Sequence, residues 1–299
     1  MPLPRLKILL ISDFHESSER IDQLAEYIRA HFITFDTVLY LGDFLSLTNP
    51  TEAEQQQGLR DIEDVLEQFS AKLNNGERIL YIPGNHDPQP LFGSTQGPAV
   101  PAVTEHGVLL HNRLVKLCPK DETDGSSNSS RAPLVLHGFG GSSPGFQNGE
   151  IIWAGFPFET DGDLEKGFRE KKGSIESLSV PVGKNLVVVP TTEKAAAGAD
   201  VSVVLVTHQG PEHSSTGIYT KKEAPIYSGS SALFNAVRKS GNIVAHVHGH
   251  THDAWGTCKI RQCTVVNPGS LKYGRCALVT LVSDGMKWSV TETELLSFI

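Results

Sequence analysis

The stretch His246-Val247-His248-Gly249-His250-Thr251-His252 places four of the chain's twelve histidines at every second position. In extended backbone, side chains at i, i+2 and i+4 project from one face. The preceding Asn242-Ile243-Val244-Ala245 reads as a short buried strand, which sets the histidines at a strand end and in its loop. Neutral imidazole is the commonest protein ligand for divalent transition metals, and a glycine inside the run lets the backbone turn closely. A polar loop with unrelated histidines is the competing reading. The rest of the chain decides between them.

The same pattern recurs upstream. Residues 6–11 are apolar but for Lys7, as in a strand buried on both faces, and run into Ser12-Asp13-Phe14-His15. Ser17-Ser18 then opens a helix with Ile21, Leu24, Ala25 and Ile28 at helical spacing. A second strand, residues 37–41, ends in Gly42-Asp43. Asn49-Pro50-Thr51-Glu52 starts a long helix with apolar Ile62, Val65, Leu66 and Phe69, leaving through Asn74-Asn75-Gly76. A third strand, 78–82, ends in Pro83-Gly84-Asn85-His86-Asp87-Pro88, and a fourth, 201–206, in Thr207-His208-Gln209-Gly210-Pro211. This βα alternation argues for a layered α/β fold, whose sheets take their ligands at the carboxyl ends of strands.

Other stretches say less. A strand pair is expected in 108–117, a polar insertion at 120–131, a strand at 133–137, and a loop with a short helix in 155–199. Residues 230–239 read as a short helix, and 260–266, 277–282 and 287–291 as a β-meander punctuated by Asn267-Pro268-Gly269-Ser270. The Gly-rich loop 138–145 lacks the Gly-Lys-Ser/Thr of a nucleotide P-loop, so a plain turn competes with a phosphate cradle. With no repeat and no dividing linker, residues 1–299 read as one domain.

Composition narrows the function. The chain is 39% hydrophobic and 20% charged, with net charge −8 and pI about 5.8, a balance that points away from nucleic acid and anionic membranes. Its four cysteines form no Cys-x-x-Cys pair, which argues against structural zinc and a disulfide scaffold. No apolar run approaches a membrane span, and a cytoplasmic location is the expectation.

Collected, the strand ends offer Asp13, His15, Asp43, Asn85, His208, His250 and His252. A mononuclear zinc site needs three or four ligands, mostly His and Cys, so seven are too many. Two ions sharing a carboxylate use seven ligands economically and suit phosphoester hydrolysis. Oxygen and nitrogen ligands without thiolate suit manganese, iron, zinc or cobalt and do not select among them; manganese is the expectation, with iron, zinc, cobalt or nickel as alternatives. His86, beside a proposed ligand but outside the set, is placed to protonate a leaving alkoxide.

Asp13-x-His15, Gly42-Asp43, Gly84-Asn85-His86-Asp87, Thr207-His208 and Gly249-His250-x-His252 together resemble the ordered motifs of the calcineurin-like metallophosphoesterases. The resemblance implies a four-layer α/β/β/α sandwich of two mixed β-sheets flanked by helices. It also implies a first metal on Asp13, His15 and His252, a second on Asn85, His208 and His250, and Asp43 as the bridge. His86 matches the family's phosphate-contacting histidine; His248 is a supporting residue at best, and His246 a core or surface one. Ser46 stands where related branches carry an Asp or His that assists this histidine, and the Gly-Asp-x-x-Asp-Arg-Gly signature of protein phosphatases is absent. The tail 265–270 resembles a small stand-alone phosphodiesterase-like branch. The implied activity is hydrolysis of a small phosphodiester or nucleotide; a nuclease and a non-catalytic scaffold of the same fold are the alternatives.

Overall fold

The computed structural model describes residues 4–93, 100–120, 132–170, 179–192, 196, 201–219 and 224–299. In the first sheet β1 (Arg5–Ile11), β2 (Thr37–Tyr40), β3 (Ile79–Tyr81) and β4 (Gly107–Leu109) run parallel. The hairpin of β17 (Arg275–Ser283) and β18 (Trp288–Ser297) extends it antiparallel beyond β1. The second sheet centres on four parallel strands, β16 (Cys263–Asn267), β14 (Ile243–Val247), β11 (Ser202–Thr207) and β6 (Leu134–Phe139). Antiparallel β15 (Gly256–Ile260) lies at one edge, and β5 (Arg113–Pro119), β10 (Leu186–Pro190) and β9 (Val180–Gly183) follow at the other.

Period two in the strands builds the layers. Leu6, Ile8 and Leu10 enter a core between the sheets, where they join Leu39, Leu80, Leu136, Val204, Val206 and Ala245. The alternate residues Leu9 and Ile11 face the helices α1 (Glu19–Ala30) and α2 (Glu52–Leu73), through Ile21, Leu24, Ile62, Leu66 and Phe69. On the far face of the second sheet Leu205, Ile243 and Val265 pack on Val237 of α4 (Ser231–Lys239). Phe139 packs on Leu233 of α4 and Leu164 of α3 (Asp161–Arg169). The result is the mixed α/β, four-layer arrangement the motifs implied. Among the described residues no helix is long and apolar enough to cross a membrane.

The structure corrects several local expectations. The strand pair in 108–117 is β4 and β5, which belong to different sheets. The meander is two hairpins in two sheets, β15–β16 and β17–β18, and the run 260–266 is broken by a turn at Arg261, whose φ is 55°. Alternation marks a strand but carries no label for its sheet. The stretch 155–199 holds α3, β9 and β10; Pro181 disguises β9, and proline is tolerated there because β9 is an edge strand. A third sheet, not expected from the sequence, pairs β12 (Ile218–Tyr219), β13 (Ile226–Tyr227), β7 (Gly145–Gln147) and β8 (Glu150–Trp153) in that order. All but the first residue of the polar insertion 120–131 lies outside the described residues.

Candidate metal centre

Five parallel strands of the two main sheets deliver the proposed ligands just past their carboxyl ends. Asp13 and His15 follow β1, Asp43 follows β2 and Asn85 follows β3; His208 follows β11, and His250 and His252 follow β14. Asp13, His15, Asp43 and His250 have positive φ, between 48° and 65°. Such backbone costs on the order of 1–3 kcal/mol per residue and persists only where surroundings enforce it. Here the loops enforce one another: Asp13 N–H donates to the Gly42 carbonyl at 2.9 Å and Phe14 N–H to that of Asp43 at 3.0 Å. Gly42, at φ 100°, permits the crossing, since a Cβ there would lie 2.6 Å from both the Gly84 nitrogen and His208 Nδ1.

The donor atoms form two groups. In the first, one ligand atom each of Asp13, His15, Asp43 and His252 lie within 4.8 Å of one another, and in the second those of Asp43, His208 and His250 do. Asp43 belongs to both, with Oδ2 3.7 Å from His15 Nε2 and 3.3 Å from His208 Nε2. Asn85 joins the second group through Oδ1, 3.1 Å from His208 Nε2. His252 Nε2 lies 3.1 Å from Asp13 Oδ1 and equally 3.1 Å from His15 Nε2. All seven predicted residues thus converge on one spot.

The chemistry of these atoms fits divalent cations. His15 Nδ1–H donates to the Leu45 carbonyl (3.1 Å) and His208 Nδ1–H to that of Leu41 (2.7 Å). A carbonyl accepts only, so when either ring is neutral its proton stays on Nδ1 and the lone pair is on Nε2, the tautomer a metal requires. His250 Nε2 is buried without a hydrogen-bond partner. The field also calls for positive charge. Burial opposes a charged His208, yet the Asp43 carboxylate carries its pKa up to about 9. His252 is likewise raised by Asp13 against burial, while His250, dominated by burial and then by repulsion from His208, falls to about 3.

The other histidines of the opening run are accounted for separately. His248 donates from Nδ1 to the Gly249 carbonyl (3.0 Å) and accepts the Thr216 hydroxyl at Nε2 (2.8 Å), so neither nitrogen is offered to an ion. Burial, the largest influence, pushes it down to about 4. His246 is fully buried and contacts the Thr207 hydroxyl at 2.6 Å. The amides of the Gly-rich loop are spent internally. Gly141 donates to Pro83, Ser142 to Phe156, and Ser143 to Gln209 Oε1. The plain-turn reading holds.

The model of the calcineurin-like phosphoesterase family matches residues 6–254. The chain belongs to that family. Solved structures are similar in fold: TT1561 of Thermus thermophilus at 15% identity, covering 99% of this chain and 100% of that one, with TM-score 0.53. A dimetal phosphatase from Danio rerio is 11% identical over 98% of this chain and 99% of that one, with TM-score 0.47. No curated protein matches.

In this calcineurin-like phosphoesterase the residues the sequence reading passed over are supports. The Asp87 carboxylate accepts the N–H groups of Gly84, Asp43 and Leu45 at 2.8, 3.0 and 3.1 Å. Ser270 Oγ–H donates to the Asp13 carbonyl at 2.8 Å, and Asn267 Nδ2 to that of Thr251 at 2.9 Å. Both sit in the quoted Asn267-Pro268-Gly269-Ser270, whose polar residues were the available signal. His86 finds a partner other than residue 46: its Nδ1–H donates to the Leu47 carbonyl at 2.9 Å, while Ser46 Oγ lies 3.2 Å from His15 Nδ1.

Proposed function

We propose that this family member is a dinuclear phosphoesterase, one domain over residues 1–299, that hydrolyses a small phosphodiester or nucleotide rather than nucleic acid. The observation that carries the reading is Asp43 Oδ2, common to two groups of inward-facing donors. Asp13, His15, Asp43 and His252 would hold one ion, and Asp43, Asn85, His208 and His250 the other, with manganese the first candidate. When bound, such a pair supplies Lewis acidity toward a phosphoryl oxygen and acidifies a water.

The chain's own contribution is orientation and a proton. The site opens into a cavity of about 490 Å³, the size of a small-molecule pocket, lined by Asp43, Asn85, His86, His250 and His252. With Nδ1–H tied to Leu47, Nε2 is the nitrogen of His86 left for the substrate, and as the imidazolium the ring would give the Nε2 proton to a leaving alkoxide. Leu47 takes the place of the acidic or imidazole partner seen in related branches. An alkyl monoester must expel a basic alkoxide from a more highly charged phosphate and so depends more on an assisted His86, so diesters are the favoured substrates over alkyl monoesters.

A panel of bis-p-nitrophenyl phosphate, an alkyl monoester, cyclic nucleotides and an oligonucleotide, assayed with added Mn²⁺, tests this. Turnover of the diester and cyclic nucleotides above the monoester supports it. A clear preference for the oligonucleotide points to a nuclease, and no turnover with two ions bound points to a scaffold.

A further inference from the structure

We propose that Trp153, which lines the cavity together with Tyr219 and Phe156, forms a stacking wall that selects phosphoesters carrying a flat aromatic group beside the scissile phosphate. The inference rests on the phosphoesterase reading of the site and names the chemistry of its substrate.

The wall comes from the third sheet, which the sequence did not foreshadow. Cross-strand partners share a face, so the pairs Gly145↔Trp153 and Ile226↔Tyr219 define one side of this sheet. A register shift between Gly145 and Phe146 separates the Gly145↔Trp153 pair from the next, so that Phe146↔Ile151 and Phe146↔Tyr227 fall on the other side, where all three side chains are exposed. Trp153, Tyr219 and Phe156 line the cavity that holds the proposed metal ligands, together with Leu47 and Pro50.

Trp153 is held in place. Its indole packs over Gly145, where an added Cβ would run into ring atoms Cε2 and Cζ2. Glycine is the one residue that leaves room for the ring on the neighbouring strand. The indole meets the His250 ring edge-on, with centroids 5.9 Å apart. It therefore adjoins a proposed ligand, next to where the phosphate would be bound. Tyr219 is fixed at its hydroxyl by the Asp253 carboxylate, which also lies 3.6 Å from Arg275 Nη1. A rigid indole next to the phosphate position binds any flat ring attached to that phosphate, whether a nucleobase or an apolar aryl group, because both present a π-face. Gln55 Nε2 and the Thr48 hydroxyl, in the same lining, can hydrogen bond a nucleobase edge and give an apolar aryl nothing.

The test uses phosphorothiolate diesters that share an S-ethyl leaving group, which carries no ring, and differ in the retained ester: methyl, phenyl, and the 5′-linked nucleoside. In the Mn²⁺-loaded wild type the phenyl and nucleoside esters should exceed the methyl ester in kcat/KM by about tenfold, the lower range for one stacked ring. Trp153→Leu should bring that ratio close to one, while Trp153→Phe should keep most of it. Gly145→Ala, which displaces the indole without removing it, should lower the ratio as well. A binding readout is independent of turnover: phenylphosphonate should quench indole emission in the wild type and not in Trp153→Phe, and methylphosphonate should quench neither. A nucleoside ester above the phenyl ester identifies a nucleobase, and the reverse an apolar aryl group; either supports the wall. Equal kcat/KM for all three esters, unmoved by Trp153→Leu, overturns the wall and leaves the phosphoesterase standing. Failure to hydrolyse any ester with two ions bound overturns both.

Discussion

The carboxylate of Asp87 reaches under the metal centre to accept the backbone N–H of Asp43 at 3.0 Å, together with those of Gly84 and Leu45. A buried side chain outside the proposed ligand set thereby ties the loop after β2, with the shared ligand, to the loop after β3, with Asn85. Burial and then the nearby Asp43 charge push its pKa up to about 7, while the Gly84 and Leu45 amides pull the other way. Asp87→Asn replaces one accepting oxygen with a donor and strands at least one buried N–H. The expected cost is about 1–3 kcal/mol in stability, with metal affinity reduced roughly 10–100-fold. Thermal denaturation and calorimetric metal titration check this; unchanged values in both would remove Asp87 from its supporting role.

Asp43→Asn should weaken both metal positions together, because Oδ2 stands in both donor groups. Elemental analysis of the wild type should give two ions per chain at saturating metal, and the variant clearly fewer. A wild type fully active with one ion would remove the dinuclear reading.

His86 separates chemistry from metal binding. Its imidazole is tied to Leu47 rather than to the donor groups, and its backbone N–H donates to Asp43 Oδ1 at 2.9 Å, a bond any residue at 86 retains. His86→Ala should therefore keep both ions and the fold. The rate on an alkyl diester should fall by roughly 10²–10⁴-fold, and less on esters with acidic leaving groups. Loss of metal in proportion to activity would contradict the assignment.

His246 makes stability pH-dependent. Thr207 Oγ1–H donates to the Gln209 carbonyl, so His246 Nε2–H must donate to that hydroxyl, and its buried Nδ1 has no partner. Burial, reinforced by His248, holds its pKa well below 6.5. Above pH 6.5 the ring is neutral both folded and unfolded. As pH falls below 6.5 only the unfolded chain takes up the proton, so stability declines until the folded pKa is reached. Between pH 6.5 and 5.5 the loss from this one group is about 1 kcal/mol. Urea denaturation in chelator at the two pH values, for wild type and His246→Asn, should show that share of the slope disappearing in the variant. An identical slope would mean His246 titrates normally.

Which residues stand at strand ends was legible in the chain, because buried parallel strands are short apolar runs and polar residues after them have few other places to be. All seven proposed ligands, His86 and the layered α/β class were read this way, with the order of the motifs supplying the family. Alternation and turn signals are local, so they could not tell which sheet takes 107–119 or 256–297, nor that the weak segments 145–153, 218–219 and 226–227 meet as a third sheet. The side chains that orient the ligands were hidden for the same reason: Asp87, Ser270 and Asn267 act through hydrogen bonds to backbone groups distant in sequence. Only folding brings Ser270 to Asp13 or Trp153 to His250. The sequence by itself determined which chemistry this protein can hold, because residue type sets donor atoms and charge. Tertiary structure alone decided how that chemistry is oriented and what lines its entrance, because both depend on contacts between segments that share no local pattern.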